Sequence, residues 1–178
     1  MNGMDTPTLD LSDAETFLSA LGQRHTFETR DDSALKRQGR YCRKPGMFAE
    51  HAQQLVEMNH RGAGIFVMVN AGDGRGRSAK NVRSVRALFV DLDGAPMSTL
   101  ANSPLAPHFV IESSPCRWHA YWLVRDCPLV DFRGHQQALA SRFGGDLRVC
   151  DLARLMRLPG FNHRKRAPYQ SRIVEARE

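Results

Sequence analysis

Two aspartates that follow a short apolar run are the strongest candidates for chemistry. Ala87 to Val90 is a β-favouring apolar stretch, and Asp91 and Asp93 come directly after it. Side chains on a strand alternate between faces, so both carboxylates would point the same way, with Cα atoms roughly 6.6 Å apart. Two such carboxylates repel, and one tends to retain a proton. A hard cation such as Mg²⁺ or Mn²⁺ relieves that repulsion and commonly bridges carboxylates to substrate phosphates.

The same two aspartates have a less specific interpretation. An Asp-x-Asp pair is also common as a solvated turn after a core strand, and Gly94 and Pro96 do end the strand here. The pair alone leaves both interpretations open, so the segments downstream have to decide between them.

A predicted hairpin supplies the next candidates. His108 to Ile111 and His119 to Val124 have strand-like patterns, and the segment between them carries Ser114 and Arg117. A histidine beside an arginine at a turn can donate to a phosphate oxygen. The alternative for His119 is a half-buried strand histidine that only packs.

Strand alternation sorts the side chains of the second hairpin strand. His119 and Tyr121 share one face, and Ala120 and Trp122 share the other. Trp122 is therefore predicted in the core rather than as a platform for stacked bases.

Asp151 is the candidate for a third carboxylate, with Asp146 as a competitor that we place in a loop after Gly145. A carboxylate followed by cations fits a site for a triphosphate and a nucleic-acid strand. The alternative is that Asp151 caps a helix and the cations form a solvated face. The polar and basic residues that follow it are Arg154, Arg157, Asn162, Arg164, Lys165 and Arg166.

The charge balance favours an anionic partner. The 178 residues include 25 lysines and arginines against 19 aspartates and glutamates, a net charge of +6. Arginine dominates the positive charge, and its guanidinium suits bidentate phosphate contacts. Nucleic acid or nucleotide is the favoured partner class, although many basic proteins bind neither.

A glycine-rich basic loop, Ala71 to Asn81, precedes the acidic strand. It lacks the Gly-Lys-Ser/Thr ending of a phosphate-binding P-loop. We therefore predict a mobile, positively charged loop whose Arg75, Arg77 and Lys80 contact nucleic acid.

The elements that must position these residues alternate between helices and strands. A first helix is predicted after a cap at Ser12 or Asp13, ending at Gly22, and two more from Phe48 to Asn59 and from Pro128 to Phe143. A loop is predicted from Asp31 to Pro45 and a last strand from Gln170 to Glu175. At least one hairpin is present, so we expect an α+β fold, a sheet flanked by helices. Residues 1–178 are expected to form a single domain, with residues 1–10 disordered.

The remaining composition bears on the cellular compartment. Four widely spread cysteines form no Cys-x-x-Cys pair, so structural zinc is not expected. Neither a secretory signal nor a stretch long enough to span a membrane is found, and we expect a reduced, cytoplasmic protein.

Three sequence blocks together resemble one known group of enzymes. They are FVDLDG at 89–94, ESSPCRWHAYW at 112–122 and CDLARLMRLPGFNHRK at 150–165. They are similar to motifs of the archaeo-eukaryotic primase superfamily, and specifically of its RepB-like plasmid and phage primase domain. The upstream GAGIFVMVNAGDGRGR at 62–77 also resembles that family, so the resemblance runs from about residue 14 to the end.

The resemblance implies a catalytic core with an RRM-like sheet, mixed or antiparallel, that makes primers on single-stranded DNA from nucleoside triphosphates. It implies a two-metal Mg²⁺ or Mn²⁺ site at Asp91, Asp93 and Asp151. The implied nucleotide-binding residues are Ser114, Arg117, His119, Arg157, Asn162 and Lys165. The implied DNA-binding residues are Arg75, Arg77, Lys80, Arg154 and Arg164.

Two departures from the family pattern matter. Cys116 stands where a glycine is frequent, which could stiffen the turn. The sequence also lacks the helical C-terminal region that some relatives use to engage template. Primer initiation could therefore require a partner such as a replicative helicase or an initiator protein.

Two other functions stay open at this point. FVDLDG also resembles the nucleophile motif of haloacid-dehalogenase-type phosphatases, with Asp91 as nucleophile, although no later Asp-Asp pair completes such a site. A non-catalytic module that binds single-stranded DNA or initiates replication would use the same basic loops, but stacking aromatic residues are few.

Overall fold

Two four-stranded antiparallel sheets form the framework of the protein in a computed structural model that describes residues 9–33, 41–92, 94–101 and 103–177. In chain order the elements are α1 (Ser12–Leu21), β1 (His25–Asp31), β2 (Cys42–Gly46), α2 (Phe48–His60), β3 (Ala63–Met68), β4 (Ala71–Gly72), β5 (Val82–Ser84), β6 (Ala87–Leu92), β7 (Phe109–Ser114), β8 (Arg117–Leu123), α3 (Phe132–Phe143), β9 (Leu155–Arg157), β10 (Asn162–His163), β11 (Tyr169–Gln170) and β12 (Arg172–Ala176). Short 3₁₀ helices lie at Ala79–Asn81 and Met97–Leu100.

The strand order places the sequence motifs on different sheets. The first sheet has the order β2-β1-β3-β9, and the second has the order β12-β7-β8-β6. Two small ladders, β4 with β5 and β10 with β11, complete the strands. The acidic strand β6 and the hairpin β7–β8 thus belong to the second sheet, whereas β9, from the basic C-terminal block, belongs to the first.

The main core lies between the two sheets. Phe27 from β1, Phe89 from β6 and Tyr121 from β8 are at most 1% exposed, and they belong to one apolar cluster with Phe17 of α1. Phe17 and Tyr121 meet edge to face, with ring centroids 4.8 Å apart. Such aromatic burial supplies much of the hydrophobic stabilisation that joins the sheets.

The opposite face of the second sheet packs against α3. Val90, Ala120 and Trp122 are buried in a second cluster with Phe143 of α3. Trp122 stacks on Phe143 with ring centroids 5.3 Å apart. The alternation predicted for β8 is therefore confirmed, because its even and odd residues enter different cores.

One buried glutamine joins α3 to the outer strand of the second sheet. Gln136 accepts a hydrogen bond from the Phe89 N–H at 2.8 Å and donates to the Phe89 carbonyl at 2.9 Å. It also donates to the Val149 carbonyl at 3.0 Å. The side chain thus satisfies backbone groups of β6 that no neighbouring strand reaches.

The α+β prediction, with antiparallel sheets flanked by helices, is confirmed. The predicted loop over 31–45 is wrong at Cys42–Gly46, which forms edge strand β2. A basic edge strand that contains proline has no apolar pattern, and its pairing with β1 is what makes it a strand. Helix α3 begins at Phe132, four residues later than expected.

Parts of two predictions lie outside the described residues: the disorder of 1–10 for its first eight positions, and the loop prediction for residues 34–40. Among the helices of the described segments, none has the length and apolar character needed to cross a lipid bilayer.

Candidate active site

Asp91 and His119 face each other across two neighbouring strands. The antiparallel register of β6 and β8 pairs Asp91 directly with His119. The Asp91 Oδ1 lies 3.9 Å from the His119 Nε2, and the two side chains are 29% and 9% exposed. The first acidic motif and the histidine motif therefore meet at one place on the second sheet.

His119 is a neutral imidazole at physiological pH. Burial, together with the Arg157 charge and the nearby His163, lowers its pKa to about 3. The Tyr121 hydroxyl lies 3.3 Å from the His119 Nδ1. Burial and the Asp91 charge hold the pKa of Tyr121 well above its ordinary value, so the phenol stays protonated and can donate to Nδ1. That bond leaves the His119 Nε2 as the N–H donor on the side of Asp91.

The surroundings of Asp91 disfavour its ionised form. Burial and then the Asp146 carboxylate raise its pKa, against the lowering effect of Arg117, Arg154 and Lys165. The backbone N–H of Asp146 donates to the Asp91 carbonyl at 3.1 Å. Because burial and a second carboxylate disfavour the ionised form of Asp91, a bound cation would stabilise that form strongly.

Gly145 makes the approach of Asp146 to β6 possible. A Cβ at position 145 would lie 2.2 Å from the Val90 Cγ2 and 3.0 Å from the Asp91 carbonyl oxygen. Only a glycine can therefore pass this close to the strand. The glycine pair predicted to end α3 also brings the chain after the helix onto the acidic strand.

Asp146 is the residue that the sequence reasoning undervalued. Its carboxylate is bound by Arg148, with Nε to Oδ1 and Nη2 to Oδ2 both at 3.0 Å. Those bonds lower the pKa of Asp146, whereas the pKa of Asp91 is raised, so Asp146 is the more readily ionised of the two. The glycine pair before it was the available signal, but a contact between positions 91 and 146 is tertiary and has no local pattern.

Asp151 is placed differently from the prediction. Its carboxylate is 50% exposed and pairs with Arg154, Nε to Oδ2 at 2.9 Å. No contact between Asp151 and Asp91 is found within the described residues, and Arg154 is what connects Asp151 to the charges around Asp91. The role of Asp151 as a metal ligand stays a prediction, and Asp93 lies outside the described residues.

The predicted nucleotide-binding residues divide into exposed and buried ones. Arg117 and Lys165 are exposed and their charges reach Asp91, and half-buried Ser114 pairs with Arg117 in the β7–β8 register. Arg157 is 6% exposed, and its charge reaches His119. Asn162 is held through its backbone, whose N–H and carbonyl both bond to the Asn59 side chain.

The predicted DNA-binding residues of the glycine-rich loop are not equivalent. Arg75 and Lys80 are exposed. Arg77 pairs with the buried Glu28, Nε to Oε2 at 2.8 Å, and donates to the Ala153 carbonyl at 3.3 Å. Arg77 thus ties the loop to the first sheet, which a sequence pattern does not reveal.

Hydrogen bonds order a loop that the sequence predicts to be mobile. The Asn81 amide lies 3.3 Å from both oxygens of Asp73, and the Ser78 hydroxyl donates to Asn81 at 2.6 Å.

The other two predicted DNA-binding residues lie in the C-terminal block. Arg154 is bound to Asp151, and the Arg164 backbone N–H donates to Asp32 at 3.0 Å.

The donor set fits a hard divalent cation. Asp91 and Asp146 offer carboxylate oxygens, the ligands that Mg²⁺ and Mn²⁺ prefer, and the raised pKa of Asp91 marks negative charge that a cation would relieve. Within the described ranges, which omit Asp93, no cluster of three or more metal-ligating side chains is found.

The fold and the site together define a class of protein. Paired antiparallel sheets carry an acidic strand end, an opposed histidine and surrounding arginine and lysine charges. That combination is suited to transfer of a nucleotidyl group, in which charge stabilisation does most of the work.

Known structures share this fold. The catalytic domain of primase RepB′ in complex with initiator DNA matches with a TM-score of 0.72 and 24% identity, over 93% of this chain and 84% of that one. The AEP domain of the cyanophage S-2L primase-polymerase matches with a TM-score of 0.75 and 20% identity, over 96% and 92%. A structure of primase RepB′ matches with a TM-score of 0.73 and 22% identity over 93% of this chain, which spans 56% of that chain.

Residues 50–173 match the RepB DNA-primase N-terminal domain, and the chain belongs to that family. It is a DNA-primase domain of the RepB type, as the three sequence blocks predict, and it has the fold of the AEP structures. This assignment removes the phosphatase interpretation of FVDLDG. No curated protein sequence gives a significant match.

Proposed function

We propose that the chain catalyses metal-dependent, template-directed nucleotidyl transfer that makes primers on single-stranded DNA in plasmid, phage or mobile-element replication. The observation that carries the proposal is the placement of Asp91 opposite His119, with the Asp146 carboxylate alongside. Family membership supports a primase, and the site supplies groups suited to its chemistry.

The residues of the chain divide the work. Asp91, Asp93 and a third acid hold the cation, and Asp146 has better geometric support for that third position than Asp151. Bound Mg²⁺ or Mn²⁺ would neutralise triphosphate charge and activate the attacking 3′-hydroxyl. The neutral His119 donates an N–H to a phosphate oxygen, and Arg117, Arg157 and Lys165 offset the remaining negative charge.

Single-stranded DNA is the proposed template. A relative of the same fold was solved with initiator DNA, and this chain carries a net charge of +6. The exposed Arg75 and Lys80 could reach backbone phosphates, as could Arg164 and Arg154, whose charge acts on Asp91. Binding through such contacts should weaken as salt rises.

The decisive experiment is nucleotide incorporation on a single-stranded template with Mg²⁺ or Mn²⁺. Asp91→Asn and Asp93→Asn should each lower incorporation by about a thousandfold or more, since they remove oxygen ligands from the reacting charges. Melting temperature and affinity for a labelled oligonucleotide should stay close to wild type.

Asp126→Asn is the control, because that exposed carboxylate lies on the turn after β8, outside the proposed site. Incorporation that survives in either Asp91→Asn or Asp93→Asn would contradict the proposal. A wild-type chain that binds the oligonucleotide but incorporates nothing with either metal would favour the non-catalytic binding module instead.

A further inference from the structure

One buried carboxylate outside the predicted site holds two of its segments together. Asp32 follows β1 and is 5% exposed. Its Oδ2 accepts from the Arg157 Nη1 at 2.9 Å and its Oδ1 from the Nη2 at 3.1 Å. The Arg164 backbone N–H also donates to Oδ2, at 3.0 Å. Asp32 therefore bonds to residues on both sides of the Pro159-Gly160 turn.

The local packing leaves the Arg157 guanidinium little freedom. Asp32 binds it along one edge, and its central carbon lies 4.7 Å from the centroid of the Phe66 ring. Gly64 provides the space, because a Cβ there would lie 2.6 Å from the Asp32 Oδ1 and 2.8 Å from the Arg157 Nη1. A bidentate bond plus a stacked ring fixes both the position and the plane of the cation.

This fixed cation acts on the candidate active site. The Arg157 charge contributes to the low pKa of both His119 and His163. Burial alone would raise the pKa of Asp32, but the Arg157 and Arg164 hydrogen bonds outweigh burial and lower it. Asp32 is therefore a carboxylate at neutral pH, as a charge-assisted bidentate pair requires.

Stability alone gives little reason for such a pair. Both side chains are buried, at 7% and 3% exposure, and a buried ion pair is often no more stable than apolar residues of similar volume. Fixed placement of a cation beside a phosphate site, by contrast, is what charge stabilisation of a transferring group needs.

We infer that Asp32 is a positioning residue for the nucleoside triphosphate. It fixes the guanidinium of Arg157 and, through the Arg164 amide, the backbone next to Lys165, so that both cations are in place before the nucleotide binds. The inference rests on the proposed function, since it assigns the triphosphate to the same site.

The test measures nucleotide and DNA binding separately in the full chain. A nucleoside triphosphate with Mg²⁺ is titrated by calorimetry without template, and KM and kcat are measured with template. Asp32→Asn should weaken nucleotide binding and raise KM by about tenfold or more, because a charge-assisted pair is lost. Affinity for a single-stranded oligonucleotide should stay within about twofold.

Asp13→Asn is the matched control. The Asp13 Oδ2 accepts from the Ile173 backbone N–H at 2.8 Å, so this change also neutralises a bonded carboxylate, but on α1 and away from the proposed site. Nucleotide affinity and KM should stay at wild-type values in this variant, even if its melting temperature falls.

A second comparison covers the case in which Asp32→Asn folds poorly. Asp32→Asn combined with Arg157→Gln leaves no unpaired buried charge, so its melting temperature should recover, and its KM should equal that of Arg157→Gln alone because Asp32 acts through Arg157. Wild-type nucleotide affinity in either Asp32 variant would overturn the inference. Wild-type chain that binds the triphosphate but incorporates nothing would overturn the proposed function alone, because the titration still decides the role of Asp32.

Discussion

At the scale of single residues, the surroundings of two carboxyl groups shift their pKa values in opposite directions. Asp91 is held towards the protonated form by burial and by Asp146, whereas Asp146 is kept ionised by Arg148. Since His119 is neutral, the site contains no protonated imidazole to balance these acids. Of two such ligands for a cation, Asp91 has the higher affinity for protons. At a pH close to the raised pKa of Asp91, cation binding would therefore displace a proton from that carboxyl group.

The third acid can be identified by a matched pair of variants. Asp146→Asn should lower incorporation by about a hundredfold or more, since it removes the carboxylate whose charge acts on Asp91. Asp151→Asn should lower it by less than about tenfold, because its carboxylate is half exposed and its charge is not among those that shift the pKa of Asp91. The measurement is kcat/KM at saturating Mg²⁺, with oligonucleotide affinity as the check on folding.

The opposite ranking of the two variants would support Asp151 as the third metal ligand, as the sequence analysis predicts.

At the scale of elements, prediction succeeded where burial leaves a periodic pattern. Helices α1 and α2 and strand β6 follow from apolar residues at helical or strand spacing, and all three are found within a few residues of their expected bounds. Strands β2 and β9 carry basic residues and depend on a neighbouring strand for their hydrogen bonds, so their sequences hold little trace of them.

The candidate site follows the same rule. The opposition of Asp91 and His119 could be predicted because each residue lies on a strand with a strong pattern. Asp146 was named only as a competitor of Asp151 and Asp32 was missed, because the position of each depends on a tertiary contact beside a glycine, at 145 and at 64 respectively. Cys116, which stands where the family often has glycine, does adopt a left-handed φ of 59°.

The link between α3 and β6 gives an element-scale prediction. Gln136→Leu should lower the free energy of unfolding by about 2–4 kcal/mol, since it leaves buried backbone groups of Phe89 and Val149 without partners. Chemical denaturation, followed by circular dichroism, measures the change.

Gln137→Leu on the same helix is the matched control, because that position is exposed. Its effect should stay within about 0.5 kcal/mol. Equal losses of stability in the two variants would show that the Gln136 hydrogen bonds contribute little.

At the scale of the whole molecule, three histidines make the stability of the fold depend on pH. Burial, together with a nearby arginine charge, lowers the pKa of His25 and His163 to about 4 and that of His119 to about 3. In the unfolded chain a histidine takes up its proton near pH 6.5. Between the folded and unfolded pKa values, the unfolded state binds more protons than the folded state. The contribution of each histidine to the free energy of unfolding is therefore fully present above pH 6.5 and is lost as pH falls towards 4.

Stability should accordingly fall over that window by up to about 1.4 kcal/mol per pH unit for the buried His25 and His119, and by less for the half-buried His163, where solvent screens the charges. His25→Gln should reduce the slope by roughly one third, since one of three titrating groups is gone. Urea denaturation between pH 7.5 and 4.5, with a chelator present, measures it, and the values above pH 7 separate the pH-independent effect of the substitution. An unchanged slope would show that His25 takes up its proton in the folded state.

The outer edge of β6 also bears on self-association. Gln136 occupies the outward backbone groups of Phe89, and the Asp146 amide occupies the outward carbonyl of Asp91. A strand whose free groups are already bonded offers no template for a strand from another copy. The contacts that bring Asp146 to the acidic site therefore also protect a highly apolar strand from intermolecular pairing, and loosening the end of α3 would expose the chain to aggregation as well as to loss of activity.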